Sequence, residues 1–303
     1  MGSSTAAEPE LGMVVVGVDG SANAATAADW AAAEADRRGR PLRLLYAADT
    51  YRRALYASVE TVERVRQRGR DVLKDTADRL AEQYPELQIN KELSPREPTV
   101  SLLDAAGSDG TIVVGNRGYG GFAALLLGSV GLRVAAGATV PVVVVRGGAQ
   151  GAGAGVVVAA VRDEDDLDCV RHAARAAELR KASLRLLSVW QVLRYVGTVA
   201  TMLDDVDEIA QQHLHRVSTV ADRIRDEFPE LTVTADVEEG ASVAGTLVEA
   251  SRQADLLVMG GRRPPDAFGP TLGRVTHAVL HHAECPVELI PRESKRQRRQ
   301  EEK

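Results

Sequence analysis

The amino-acid sequence contains one unit twice. Three stretches of the first half return in the same order in the second half: residues 41–45 as 183–187, 78–87 as 222–231, and 140–142 as 285–287. Each copy is about 145 residues long, which is a typical length for one domain. We therefore predict two domains of the same fold, at residues 1–148 and 153–303, joined by the flexible glycine-rich linker Gly147–Gly155. The charged tail after Pro291 is expected to be disordered.

Strands and helices alternate along the first copy. Apolar runs typical of buried parallel strands occur at residues 13–18, 42–47, 111–114 and 142–145, with a weaker strand at 87–93. Helices are predicted at 22–38, 61–83, 100–106 and around 132–136. This alternation predicts an α/β fold in each copy, a doubly wound parallel sheet of the Rossmann-like kind. Ligands of such sheets bind beyond the carboxyl ends of the strands.

A glycine-rich loop follows the fourth predicted strand. Gly115-Asn116-Arg117-Gly118 comes directly after the apolar run, and after nine more residues Gly128-Ser129 opens the next helix. Glycines let the backbone approach a ligand closely, and a helix N-terminus offers free N–H groups to an anion. The loop therefore predicts a phosphate cradle, and Asp19 would face the same cleft if strands one and four are neighbours. The alternative is that the glycines only make a tight turn and Asp19 only caps a helix.

Composition excludes several classes of function. The chain has 303 residues and a net charge of −6, so it lacks the basic field that nucleic-acid binding needs. Cys169 and Cys285 form no disulfide framework, which indicates a reducing, cytoplasmic location. No apolar run reaches the roughly 18 residues that span a bilayer, so no membrane partner is expected. Neither the P-loop pattern nor the dinucleotide fingerprint occurs.

The combination of Asp19 and Ser21 after a strand with the Gly-x2-Gly-x9-Gly-Ser pattern resembles the universal stress protein family. The likeness covers four separated segments of the first copy in the right order, at residues 14–21, 113–118, 127–130 and 141–145. Because the unit is repeated, the chain resembles a tandem member. The resemblance implies the adenine nucleotide alpha hydrolase-like form of the Rossmann fold in both domains.

The resemblance also implies a ligand for the first copy: an adenine nucleotide, ATP or else AMP or ADP, with Mg²⁺ as its companion ion. Asp19 would meet the ribose and adenine side, and the backbone of Ala47 would face the adenine. The loop and helix start would surround the phosphates through Gly115, Asn116, Arg117, Gly118, Gly128, Ser129 and Val130.

The function implied is that of a nucleotide-dependent switch or sensor in the stress response. No catalytic residue is expected, because no His or Lys of the motif is placed to activate Ser21. Two alternatives stay open, a slow ATPase and a ligand-free interaction scaffold in which both sites are vestigial.

The second copy has lost much of the motif. Aligned with the first, it places Arg263 at the position of Gly118 and Arg274 at the position of Ser129, and Pro264 and Pro265 remove two N–H donors. If position 118 needs a positive φ, an arginine there costs about 1 kcal/mol. We therefore expect one competent site, in the first copy, although Arg263 and Arg274 could hold an anion through their side chains.

The start of the second copy differs as well. Asp19 falls on Val161 or Arg162, since the alignment is uncertain by one residue, and neither is acidic. The acidic run Asp163–Asp166 that follows would repel a triphosphate. Acidic residues also favour a helix N-terminus, and this is the preferred interpretation of the run.

Other polar and aromatic residues are assigned structural roles. His277 and His281 have a spacing that permits a metal ion, but no paired cysteine motif accompanies them, so no metal site is predicted. His213 and His215 are expected to be solvated, and Trp30 and Trp190 to pack in the core.

The short final strands of the two copies, 142–145 and 287–290, are predicted edge strands. The resemblance implies that such strands pair across a two-fold axis, so the two copies would pair within the chain as a pseudo-dimer. An unnamed protein partner is expected, and a further homodimer is left open.

Overall fold

The computed structural model describes residues 12–118, 127–146, 153–191, 203–261 and 272–291. Its strands are β1 Val14–Gly17, β2 Leu42–Ala47, β3 Ile89–Ser94, β4 Thr111–Gly115, β5 Val142–Val145, β6 Val156–Ala160, β7 Ser183–Trp190, β8 Val233–Glu239, β9 Leu256–Gly260 and β10 Val287–Ile290. Its helices are α1 Ala22–Arg38, α2 Thr50–Arg53, α3 Val59–Gln83, α4 Pro98–Ala106, α5 Ser129–Gly137, α6 Leu167–Arg180, α7 Leu203–Glu227, α8 Val243–Ser251 and α9 Arg274–His282. Among these helices, none combines the length and the hydropathy that a membrane span requires.

The two halves share one sheet. Its ten strands are ordered β3-β2-β1-β4-β5-β10-β9-β6-β7-β8, so each half has the doubly wound order that the sequence predicts. Neighbouring strands are parallel except at the centre, where Val287 of β10 lies opposite Val144 of β5 in an antiparallel pair. The predicted pairing of the two final strands within the chain is confirmed. β1 is hydrogen-bonded to β4, which confirms that the first and fourth strands are neighbours.

Helices cover both faces of the sheet. On one face, α4, α5, α8 and α9 pack over a single apolar core that continues from one half into the other. On the opposite face, α1 and α3 cover the first half, and α6 and α7 cover the second. Alanines of α1, among them Ala27, Ala28 and Ala31, are fully buried, which lets this helix approach the strands closely. Trp30 packs against the core under α1 and α3 and also against the core under α6 and α7, as predicted for a packing residue.

Several helices begin where a side chain caps them. Ser58 Oγ accepts a 3.2 Å hydrogen bond from Thr61 N, so α3 begins two residues before the prediction. Glu97 accepts from Val100 N at 3.3 Å ahead of Pro98, so α4 also begins earlier. The four-residue helix α2 was not predicted, because it is too short to show an apolar periodicity.

The end of the predicted linker is held in place. The Asp255 carboxylate accepts hydrogen bonds from the backbone N–H groups of Gly153, Ala154 and Gly155 at 2.7, 3.0 and 2.8 Å. The prediction of a flexible linker is therefore wrong for these three residues. Its remaining residues, 147–152, and the charged tail lie outside the part of the chain that the structure describes.

Charged side chains are buried where the halves meet. Glu34 of α1 is 1% exposed and bonds to Arg180 of α6, while Glu288 of β10 is fully buried beside His172 of α6. Arg180 also lies over the ring of Trp30, 5.7 Å from its centroid. The junction is thus held by ionic contacts as well as by the β5–β10 ladder.

Candidate functional site

Asp19 lies in the turn between β1 and α1. Its Oδ1 accepts a 2.9 Å hydrogen bond from Ser21 N, and Gly20 between them has φ 85°. Ser21 Oγ in turn accepts from Ala24 N at 3.2 Å and caps α1. The helix cap is therefore Ser21 and not Asp19, whose carboxylate is held at the carboxyl end of β1.

The glycine loop lies directly against this turn. A Cβ on Gly118 would stand 2.6 Å from Asp19 Oδ2, and a Cβ on Gly115 would stand 2.7 Å from Asn23 O in the first turn of α1. Gly118 does not have a positive φ, so it is the close approach of Asp19 and not the backbone conformation that requires glycine there. The structure thus brings Asp19 and the loop into contact at the carboxyl ends of β1 and β4.

The first turn of α5 borders the same loop. Gly128 is the N-cap residue, and its N–H donates to Asn116 O at 2.8 Å. The N–H groups of the first helical turn, which begins with Ser129 and Val130, lack intrahelical acceptors. Gly128 brings no side chain that could satisfy them, so this helix start is suited to an anion.

The remaining predicted residues lie along the same edge of the sheet. Asn116 N bonds to Val145 O at 2.9 Å, and its side-chain Oδ1 is buried with no hydrogen-bond partner in the described ranges. Arg117 Nε is also buried and has no hydrogen-bond partner among the described residues. Ala47 ends β2, the strand next to β1, and is half-buried opposite Ser94. The loop residues 119–126 lie outside the described chain.

One residue at this edge was missed by the sequence motif. Arg146 follows β5, and its Nη1 donates to the backbone O of His281 on α9 of the other half. Burial lowers the pKa of Arg146, and the positive charge of Arg117 lowers it further. No local sequence pattern predicts the contact between Arg146 and His281, since it depends on the pairing of β5 with β10.

Sheet register settles the alignment of the second copy. Val18 N donates to Leu45 O in the first half, and Val161 N donates to Leu187 O in the second. Because Leu187 corresponds to Leu45, Arg162 takes the place of Asp19. A cation therefore stands where the first half has its carboxylate.

The acidic run forms the start of α6. Asp163 accepts from Asp165 N at 3.1 Å and begins a 3-10 turn, Glu164–Asp166, that leads into the helix. The buried Asp166 accepts from Arg162 N at 2.9 Å. The preferred interpretation of this run, as the start of a helix, is confirmed. Arg263 and the two prolines lie outside the described residues, whereas Arg274 is the exposed first residue of α9.

Bulky rings fill the end of the second strand in the second copy. Trp190 takes the position of Ala48, is 7% exposed, and stacks on His213 with ring centroids 6.3 Å apart. The packing role predicted for Trp190 is confirmed. His213 is half-buried against this ring, so the expectation that it is solvated is wrong, while His215 is exposed as predicted.

The histidines of α9 pair with one another. The rings of His277 and His281 stack with centroids 4.3 Å apart. Within the ranges that the structure covers, no group of three or more His, Cys, Asp or Glu side chains is arranged to hold a metal ion.

Comparison with known proteins identifies the family. The model of the universal stress protein family matches residues 12–146 and again 155–291. A universal stress protein of Mycolicibacterium smegmatis is 34% identical over 292 residues, which cover 91% of this chain and 96% of that protein. A universal stress protein of Mycobacterium tuberculosis is 26% identical over 292 residues, covering 94% and 98%. A universal stress protein structure from Archaeoglobus fulgidus DSM 4304 shares the fold, with a TM-score of 0.67 at 16% identity over 93% of this chain and 97% of that one. The chain therefore belongs to the universal stress protein family, as a tandem member with two family domains.

Proposed function

We propose that the first half binds an adenine nucleotide, ATP or else ADP or AMP, and that the chain acts as a nucleotide-dependent switch or sensor in the stress response. The observation that carries this proposal is the contact between Asp19 and the bare backbone at Gly118, where a Cβ would stand 2.6 Å from the carboxylate. Carboxylates suit sugar hydroxyls, and backbone N–H groups suit phosphate oxygens. Both lie at the carboxyl edge of neighbouring strands, beside the start of α5.

A stoichiometry of one nucleotide per chain follows from the second half. Arg162 stands in place of Asp19 there, and the bulky Trp190 takes the position of Ala48, next to the residue that would face an adenine. The acidic residues at the start of α6 add a charge that disfavours phosphate. We infer that this half serves as the structural partner of the first.

Binding without turnover is part of the proposal. The hydroxyl of Ser21 accepts from Ala24 N as a helix cap, and it is the backbone N–H of Ser21, not its hydroxyl, that bonds to the Asp19 carboxylate. Asp19 is the one carboxylate among the proposed ligand residues, so Mg²⁺ would be held mainly by phosphate oxygens and water. The buried free thiols of Cys169 and Cys285 fit the proposed cytoplasmic location.

The test is native mass spectrometry of the purified full chain, alone and with ATP and Mg²⁺. We expect one adenine nucleotide per chain, lost in Gly118→Arg and in Ser129→Arg. The matched control is Gly273→Arg, at the equivalent turn of the second half, where a Cβ has room 3.9 Å from Thr276 Oγ1. Undiminished affinity in both first-half variants would contradict the site.

Two alternative functions have their own outcomes. No bound mass at millimolar ATP would favour a ligand-free interaction scaffold that works through a protein partner. ATP turnover clearly above that of Gly118→Arg would favour a slow ATPase.

A further inference from the structure

Two arginines of the first half border the phosphate end of the proposed site. β4 and β5 are neighbours with Gly115 opposite Val145, so Arg117 and Arg146 follow adjacent strand ends. The Arg117 backbone also meets the start of α5, because a Cβ on Gly128 would stand 3.7 Å from Arg117 Cα. Two arginines therefore follow neighbouring strand ends, and the backbone of one of them, Arg117, lies beside the helix start that is suited to an anion.

The second half brings histidines to the same place. β10 runs antiparallel to β5, so α9, which precedes β10, ends near the carboxyl end of β5. Arg146 Nη1 donates to the O of His281 in the last turn of α9. The His281 ring lies between those of His277 and His282, with centroids 4.3 and 6.3 Å away.

Two side-chain nitrogens of this cluster are buried without hydrogen-bond partners among the described residues. Arg117 Nε and His281 Nε2 are both inaccessible to water and have no hydrogen-bond partner within the described chain. The carboxylate that acts on Arg146 is Glu284, and this group is already bonded to Arg252 at 2.9 Å. Buried polar groups without partners are rare and point to a ligand, ion or water at the site.

The pKa values of two groups in the cluster are lowered by their positively charged neighbours. Burial lowers the pKa of His281, and the nearby His277, His282 and Arg146 lower it further. Burial and Arg117 act in the same direction on the pKa of Arg146. An anion placed among these groups would relieve the mutual repulsion.

The cluster exists on one side of the pseudo-two-fold axis. Helices α5 and α9 have nine residues each, so His277, His281 and His282 correspond to Leu132, Ala136 and Gly137. Arg146, the residue after β5, corresponds to Pro291 after β10. The helix with the histidines faces the competent half, and the helix without them faces the degenerate half.

We propose that Arg117, Arg146 and His281 form an anion subsite, built from both halves of the chain, that receives the phosphates distal to the ribose. The site then prefers a nucleoside triphosphate or diphosphate to the monophosphate. This inference rests on the proposed function and adds to it a contribution of the second half to the first-half site. The plain structural role of Arg146 is to cap the C-terminus of α9, and that role alone uses one of its nitrogens and selects no ligand.

The test compares the affinities of ATP, ADP and AMP for the full chain by isothermal titration calorimetry. We expect Arg146→Gln to weaken ATP binding about tenfold, a loss of about 1.4 kcal/mol, and to change AMP binding much less. Arg146→Lys keeps the charge and should keep most of the preference for ATP. The matched control is Arg133→Gln on α5, an exposed arginine that pairs with Glu97 at 3.0 Å and should leave the ATP-to-AMP ratio unchanged.

A second measurement isolates the histidine. Between about pH 7 and pH 5 the affinity of the wild-type chain for ATP should rise more steeply than that of His281→Gln, because the lowered pKa of His281 places its protonation below about 6.5 and a protonated imidazole attracts the anion. Titration of the ATP phosphate itself is common to both proteins. Equal slopes would remove His281 from the subsite.

The outcomes separate the two proposals. If the wild-type chain binds no adenine nucleotide, both the proposed function and the subsite are overturned. If it binds ATP and AMP but Arg146→Gln preserves their ratio, the subsite is wrong and the nucleotide site stands. A folding defect alone does not imitate the expected result, because it lowers both affinities together.

Discussion

The carboxylate of Glu34 accepts a 2.5 Å hydrogen bond from the guanidinium of Arg180 across the junction of the two halves. Arg38, one turn along α1, bonds to the same carboxylate at 2.8 Å. Burial alone would raise the pKa of Glu34, but Arg180 and Arg38 hold it below its usual value. The corresponding residue of α6 is Ala176, so this contact is made once and not twice. The pseudo-dimer is therefore asymmetric in its charges.

Removal of Arg180 is expected to destabilise the chain strongly. Arg180→Met leaves the buried Glu34 with less compensation, and breaking a buried ion pair in this way costs about 3 to 5 kcal/mol. The measurement is urea-induced unfolding of the full chain. The double variant with Glu34→Gln should lose less than the sum of the two single losses, because the uncompensated charge is gone. The exposed pair of Lys74 and Asp78, 2.8 Å apart, is the control, and Lys74→Met should change stability little because water screens this pair. If Arg180→Met and Lys74→Met destabilised the chain equally, the role of the buried pair would be disproved.

Acid sensitivity is expected from Glu288. This carboxylate is fully buried, and although burial opposes ionisation, His172 at 2.9 Å and Arg38 at 3.8 Å lower its pKa to about 2. Its folded pKa lies below the unfolded value of 4.5, so the stability it contributes is complete above 4.5 and is lost as the pH falls towards 2. The melting temperature should therefore decline over this window. Glu288→Gln should be less stable at neutral pH but show a shallower decline, and an unchanged slope would rule out Glu288 as the cause.

Local signals in the sequence predicted most of the fold. The bounds of α1 follow from the Ser21 cap at one end and Gly39, with φ 60°, at the other. Serine before a helix and glycine after it are recognisable signals in the sequence. Glu34 could not be placed in the same way. In an alanine-rich helix a glutamate is expected to face water, and its burial depends on α6, which follows in the chain more than 100 residues later.

The candidate site, too, has features that the sequence predicts and others that depend on tertiary contacts. Asp19 and Gly118 could be assigned to one cleft because the carboxyl ends of neighbouring parallel strands meet. The reason for the glycine could not be predicted, because the 2.6 Å approach to Asp19 is a tertiary contact. Arg146 carries no motif at all, and its place beside Arg117 and α9 follows from the antiparallel pairing of β5 and β10.

A single methyl group at position 118 should impair nucleotide binding. In Gly118→Ala the Cβ meets Asp19 Oδ2 at 2.6 Å, so the carboxylate must shift from the position in which its other oxygen accepts from Ser21 N. We expect a loss of about tenfold in ATP affinity, measured by calorimetry on the full chain. Gly273→Ala, at the equivalent turn of the second half, is the matched control, since its Cβ would have no neighbour closer than 3.9 Å and its φ of −64° suits alanine. If both variants bind alike, the contact with Asp19 does not matter for the ligand.

The two halves also differ at the long helix beside the cleft. Gly69 of α3 has no room for a side chain, because a Cβ would stand 2.6 Å from Leu93 Cδ1 and 2.7 Å from Tyr46 Cδ1. Helices α3 and α7 have 25 residues each, so the corresponding residue of the second half is His213. In that half Ser188 takes the place of Tyr46 and Val237 the place of Leu93, so both neighbours of this position are smaller.

Gly69→Ala should therefore destabilise the chain by about 1 to 3 kcal/mol through overpacking, although alanine is the better helix former. The added substitution Tyr46→Ser, which copies the second half, should relieve the clash, so the double variant loses less than the sum of the single losses. Gly245→Ala on α8 is the control, because its Cβ would have no neighbour closer than 3.5 Å and should leave stability unchanged or slightly higher. Urea unfolding of the four variants measures all of these effects. Strict additivity of Gly69→Ala and Tyr46→Ser would show that the two positions are not packed against each other.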